Sequence, residues 1–178
     1  LLTDLDETVT AIASGGDTPR GHMKISAPLL FCQIAMGEVA ARFAATYPEV
    51  QLEIVTEDRA VNMVEEGVDL VIRINPGADD NLIGRVFLRD YQVVVAPAGL
   101  KRPSSGKSVP AIVRGTDWKQ TSWRIRHGDE GIEALAIEPV LALSSMIMVR
   151  DALRDAQAVA ALPYSLVHNA VERGDLVM

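Results

Sequence analysis

Leu2, Leu5, Val9 and Ile12 recur at spacings of three, four and three, which is the seam of an amphipathic helix, and Asp4, Asp6 and Glu7 lie off that seam. Two heptads are too short to be stable alone. The segment therefore packs on its own domain or ends a longer dimerising helix. A Gly/Pro-rich stretch, "SGGDTPRG" (14–21), follows and reads as a linker. "HMKISAP" (22–28) then predicts a short strand. Residues 30–46, with Ile34, Val39 and Phe43, predict a helix that Tyr47-Pro48 ends. "VQLEIVTED" (50–58) alternates and is β-branched, so it predicts a strand. "VNMVEEG" (61–67) predicts a short helix closed by Gly67, and "VDLVIRI" (68–74) another strand. After a loop at 75–81, residues 82–97 hold one or two strands. Strands and helices that alternate over short connections predict a mostly parallel sheet covered by helices.

The pattern is less regular beyond residue 98. "GLKRPSSGKSVP" (99–110) is a loop, and "AIVRG" suits a short strand. "TSWRIR" (121–126) and "IEALAIEPVLAL" (132–143) flank "HGDEG" and predict a hairpin. Ser144-Ser145 caps a helix over 146–156. "AVAALP" (158–163) is a buried strand, and 164–174 a last helix that ends at Gly174.

The helix after "ISAP" poses a question. A helix start leaves backbone N–H groups unpaired and carries partial positive charge. Pro28, Leu29, Leu30 and Phe31 offer no acid there, and none follows until Glu38. The N–H groups near Leu29 to Phe31 are thus expected to meet a ligand or a water, as helix starts that receive anions do. Ser26 is the one nearby hydroxyl.

Composition narrows the function. Hydrophobic residues make up 48% of the 178 residues, enough for one domain or two small lobes. The net charge of -7 argues against nucleic-acid binding by this chain, because phosphate contacts need clustered Lys and Arg. Aromatic residues, at 4%, are too few for a base-stacking platform. "WKQTSWRIRH" (118–127) interleaves Trp with Arg, but Trp123 and Ile125 share one strand face and Arg124 and Arg126 the other. A half-buried hairpin with a solvated basic face follows.

Candidate chemistry is sparse. His22, His127 and His168 have no second ligand at metal spacing, and no metal or other cofactor is expected. Cys32 is the only cysteine, so no internal disulfide forms; it reads as a small buried hydrophobe near a helix start. No Walker A, GxGxxG or GxSxG motif occurs, and no serine sits in a recognisable triad. An enzyme is not expected. The uncharged stretches Ile25–Gly37 and Ala156–Val171 are shorter than the ~18 residues of a membrane span. With no basic n-region at the start, a cytoplasmic chain without membrane partners is expected. The chain opens on Leu1 rather than Met, and we expect a piece of a longer protein.

Four stretches carry a family resemblance: "GHMKISAP", "RFAATYPEVQLEI", "EDRAVNMVEEGVDLVIRI" and "ALPYSLVHNAVERGDLV". In residues, order and spacing they resemble the effector-binding domain of a LysR-type transcriptional regulator. The likeness is strong over 21–97, moderate over 141–178 and poor over 98–140. It implies an α/β, two-lobed fold of the periplasmic-binding-protein type 2 kind, with hinge strands and a small-molecule cleft. Lobe I would be 22–97 plus 163–178, and lobe II 98–162. The hinge would lie near Val95–Ala98 and Ala161–Tyr164, with 1–13 the end of a dimerisation helix. The resemblance implies a homodimer or higher homo-oligomer, and promoter DNA bound only through a helix-turn-helix domain outside this chain. A free-standing solute-binding protein of the same fold is the alternative.

The expected effector contacts are Ser26, Leu29, Leu30, Phe31, Thr56, Asp58, Trp123, Ser144 and Ser145. Members of the family often carry Ser or Thr with Phe-Gly after the "SAP" motif. Here Leu29-Leu30-Phe31-Cys32 makes the pocket more apolar, so the expected effector is a small organic acid with an apolar body, or an aromatic carboxylate.

Overall fold

The computed structural model describes residues 18–59, 63–77, 83–101, 107–126 and 131–178, so the helical seam at 1–13 lies outside the described residues. The chain forms two compact units, Leu1–Leu82 and Ile83–Met178. Each is an α/β arrangement built on its own sheet.

The first unit carries strands β1 (Gly21–Ala27), β2 (Val50–Thr56) and β3 (Leu70–Val71) in the order β2-β1-β3. Both pairings are parallel, with Ala27 opposite Thr56 and Ser26 opposite Val71. The middle strand is flanked on both sides, so its last residues, Ile25, Ser26 and Ala27, are buried. Helix α1 (Leu29–Thr46) makes the crossover from β1 to β2. By length and composition it could cross a membrane. Its two ends are instead tied to adjacent parallel strands, which holds it alongside the sheet. Glu38 and Arg42 pair one turn apart on it, and the rings of Phe43 and Tyr47 meet at 4.9 Å where it ends. Residues Cys32–Met36 form a wider π turn, an uncommon insertion that often marks functional sites. Gly37, a weak helix former, follows it.

Two expected elements are reduced in this unit. Over its described part, 63–67, the helix expected at 61–67 is a turn, closed by Gly67 with φ +60° and by the Val68 N–H on Met63 O. A single turn gains too few hydrogen bonds to offset its nucleation. The strand expected over 68–74 pairs only at Leu70–Val71. Backbone bonds still flank the pair, from Asp69 N–H to Lys24 O at 3.0 Å and from Ile72 N–H to Ser26 O at 2.8 Å, while the Asp69 carboxylate accepts the Lys24 N–H at 2.8 Å and the Arg73 guanidinium turns back onto Ile72 O at 2.8 Å.

The second unit holds β4 (Gln92–Pro97), β5 (Val109–Arg114), β6 (Ser122–Arg126), β7 (Ile132–Leu143), β8 (Val159–Pro163) and β9 (Leu176–Val177), in the order β6-β7-β5-β8-β4-β9. Two helices complete it, α2 (Met146–Ala152) and α3 (Tyr164–Glu172). Residues 83–91, expected to be strand, are exposed and outside any ladder. The hairpin β6–β7 forms with Trp123 opposite Leu135. Trp123 and Ile125 are half-buried while Arg124 and Arg126 are exposed, the alternation that a two-faced strand requires. Central strand β7 contains Pro139, which has no N–H for its neighbour. The register against β5 accordingly skips Val140, from Ala111 opposite Pro139 to Ile112 opposite Leu141. The core clusters on Val109, Ala111, Val113, Ile137 and Val159. Strands β4 and β8, which hold most of the two expected hinge segments, lie antiparallel, with Val95 opposite Ala160; β9 pairs with β4 through Ala96 and Val177.

Candidate functional site

In a parallel sheet the strand order decides where a ligand fits. Strand β1 lies between β2 and β3, and in open α/β sheets a reversal of strand order of this kind is where ligands bind, beyond the C-terminal ends of the strands. Five groups gather at this end: Ser26 of β1, the start of α1, Thr56 of β2, Asp58 after it, and Arg73 after β3.

Ser26 is fully buried, and a buried hydroxyl must be paired. Its Oγ accepts from Arg73 Nη2 at 3.2 Å. The Arg73 Nη1 donates to Ile72 O at 2.8 Å and Glu57 O at 3.4 Å. All three acceptors are neutral, and among the described residues no carboxylate lies within ion-pair distance of Arg73. A half-buried, permanently charged guanidinium thus stands at this sheet edge, held among the described residues by neutral oxygens. Sequence reasoning passed over Arg73. The available signal was a lone charge inside the otherwise apolar run "VDLVIRI" once Asp69 is past.

The start of α1 is not left to a ligand. The Leu29 N–H donates to Asp58 Oδ1 at 3.1 Å, and the side chain of the capping position, Pro28, makes no bond. Asp58 therefore supplies, from the loop after β2, the acid that the helix lacks in its own first turn, where negative charge is favoured. Ser26 does not serve as the cap, since its hydroxyl is bonded to Arg73. Leu29 is exposed, Leu30 and Phe31 are half-buried, and Thr56 is exposed at the end of β2. Cys32 Sγ lies 3.7 Å from Ala27 O, and burial, then the nearby Asp58 charge, push its thiol pKa up. The thiol is therefore kept protonated and is a poor nucleophile. Beside Asp58, Arg59 pairs with Glu57 at 3.1 Å and with Glu66 at 2.9 Å, which ties this loop to the turn before β3.

The remaining expected contacts belong to the second unit. Trp123 packs against the core of that unit. Ser145 occupies the capping position of α2 without a side-chain cap bond, and Ser144 beside it is exposed. The structure thus brings Ser26, Leu29, Thr56 and Asp58 to one sheet edge, with Leu30 and Phe31 in the adjoining first turn. Trp123 is on β6, and Ser144 and Ser145 follow β7.

Among the described residues no group of three or more His, Cys, Asp or Glu could hold a metal ion. The chemistry available at the edge is recognition: one cation, one carboxylate on a helix start, two hydroxyls and an apolar first turn.

The profile described as LysR substrate binding domain matches residues 16–178. Two curated relatives are similar over 99% of this chain, each at 26% identity. They are the HTH-type transcriptional regulators DmlR of Escherichia coli and PtxR of Pseudomonas aeruginosa, matched over 60% and 59% of their lengths. The chain therefore spans about 60% of the length of the curated relatives it matches. Among solved structures, the LysR-type regulator CrgA of Neisseria meningitidis matches with a TM-score of 0.71 at 20% identity. The match covers 99% of this chain and 62% of that one. Full-length AphB of Vibrio cholerae, a virulence activator, matches with a TM-score of 0.69 at 19% identity, over 99% of this chain and 62% of that one. At these identities the structures show the fold, which is the two-lobed periplasmic-binding-protein type 2 arrangement of LysR regulatory domains.

Proposed function

Given that this chain belongs to the LysR substrate-binding domain family, we propose that it is the sensing part of a DNA-binding regulator and takes a small organic acid at the C-terminal edge of β1. The observation that carries this reading is Arg73, a guanidinium held by Ser26, Glu57 and Ile72 oxygens with its charge uncompensated among the described residues. A carboxylate pairs with such a fork through charge-assisted bonds. Leu29, Leu30 and Phe31 give the pocket an apolar wall, so the acid has an apolar or aromatic body. Asp58 accepts from the Leu29 N–H at the helix start, and in this reading an anionic effector displaces its carboxylate.

The family supports the rest of the reading. Of the expected contacts, Ser26, Leu29, Leu30, Phe31, Thr56 and Asp58 belong to this proposed edge, while Trp123, Ser144 and Ser145 stand in the second unit. The whole protein is a cytoplasmic homo-oligomer that binds promoter DNA through a helix-turn-helix domain and catalyses no reaction. The test is a thermal-shift screen of small aliphatic and aromatic carboxylates on the chain and on Arg73→Ala. A hit that stabilises the parent is expected to lose its effect in the variant. A hit that stabilises both equally removes Arg73 from the site.

A further inference from the structure

We propose that the groove between α2 and α3 is a second ligand site, which takes a small monoanion with an apolar tail. Leu153 and Arg154, in the turn that ends α2, lie three and four positions after Arg150 and so share its face. Leu166 and Arg173 sit seven apart on the facing side of α3 and the turn after it. The space between has a volume of about 660 Å³, within the range of small-ligand pockets. Its floor is apolar, because Leu153, Leu166 and Leu176 are all buried.

The charge around this floor is unusual for a chain of net charge -7. Three guanidiniums converge on it. Arg150 Nε donates to Asp151 Oδ1 at 2.9 Å, and Arg173 Nε to Asp175 Oδ2 at 2.9 Å. Among the described residues Arg154 reaches only that same Asp151 oxygen, at 4.0 Å, which Arg150 already occupies. Three cations against two carboxylates leave one positive charge over an apolar floor. Arginines at helix ends oppose the helix dipole, and this accounts for their presence near the last turns of α2 and α3. It does not account for their meeting over one concave, leucine-lined surface. The excess charge sets the ligand as a monoanion, and the planar forks of Arg154 and Arg173 favour a carboxylate. The floor sets the rest of it as a short alkyl or aryl chain. None of these residues belongs to the effector edge of the first unit.

The test is a titration of the 178-residue chain with octanoate, followed by amide NMR. The signals of Leu166, Asn169, Ala170 and Arg173 are expected to move together and saturate. Octanol has the tail without the charge, and inorganic phosphate has charge without the tail; each should bind at least about tenfold more weakly, the scale of one charge-assisted bond. The pair Arg154→Ala and Arg173→Ala should weaken octanoate by a similar factor. Asn169→Trp, at an exposed position, should fill the groove and abolish binding with the melting temperature kept. Shifts confined to Ser26–Phe31, or octanoate binding that the arginine pair and Asn169→Trp leave unchanged, would overturn the proposal.

Discussion

Asp58→Ala tests how the start of α1 is held. The substitution removes the acceptor that lies 3.1 Å from the Leu29 N–H. Loss of a helix N-cap acceptor costs about 1 kcal/mol. For a chain of this size 1 kcal/mol corresponds to a fall in melting temperature of about 2–4 °C. Asp58→Asn keeps an oxygen but drops the charge, so its cost falls to the dipole contribution, roughly 0.3–1 kcal/mol. Binding should move the other way. On the proposed displacement of Asp58 by an anionic effector, deleting it returns about 1 kcal/mol, roughly a fivefold gain in affinity. Differential scanning fluorimetry reads the first effect, and isothermal titration with a carboxylate hit reads the second. An unchanged melting temperature would refute the cap. A lowered melting temperature with weaker effector binding would refute the displacement, since Asp58 would then be part of the bound site.

Two further predictions concern reactivity and partners. Cys32 has a raised pKa, so the folded chain keeps that proton to higher pH than the unfolded chain does. Its contribution to stability is complete below the ordinary thiol pKa and is lost as pH rises through the folded value. Alkylation by iodoacetamide near pH 8 should be slower in the native chain than in urea, and Asp58→Asn should speed the native reaction; equal rates would contradict the assignment. The acidic 178-residue chain should not retard promoter DNA in a gel shift at physiological salt, and sequence-specific retardation would contradict the reading of its charge.

Much of the first unit was legible in the sequence because its signals are local. The β-branched run at 50–56 and the helix stopped by Tyr47-Pro48 each follow from a pattern a few residues wide. The hairpin of β6 and β7 was legible for the same reason. The short β3 was not, because the Lys24 N–H is taken by a carboxylate distant in sequence, that of Asp69. The bulge opposite Pro139 needed the parallel neighbour β5 to be known. The site divides in the same way. Ser26, Thr56 and Asp58 could be named from strand ends. That Asp58 caps a helix 29 residues before it, and that Arg73 holds the hydroxyl of Ser26, are tertiary facts with no local signature.

The most direct test of the central claim is the thermal shift of Leu30→Trp beside that of the parent chain, with a carboxylate hit at a hundredfold excess over its dissociation constant. At that excess binding stabilises by about 2.7 kcal/mol, which a melt resolves readily. Leu30 is half-buried in the first turn of α1, and an indole in its place adds bulk beside the proposed edge. The effector edge predicts that the parent is stabilised and the variant is not. Equal stabilisation of both chains would place the ligand elsewhere and contradict the account.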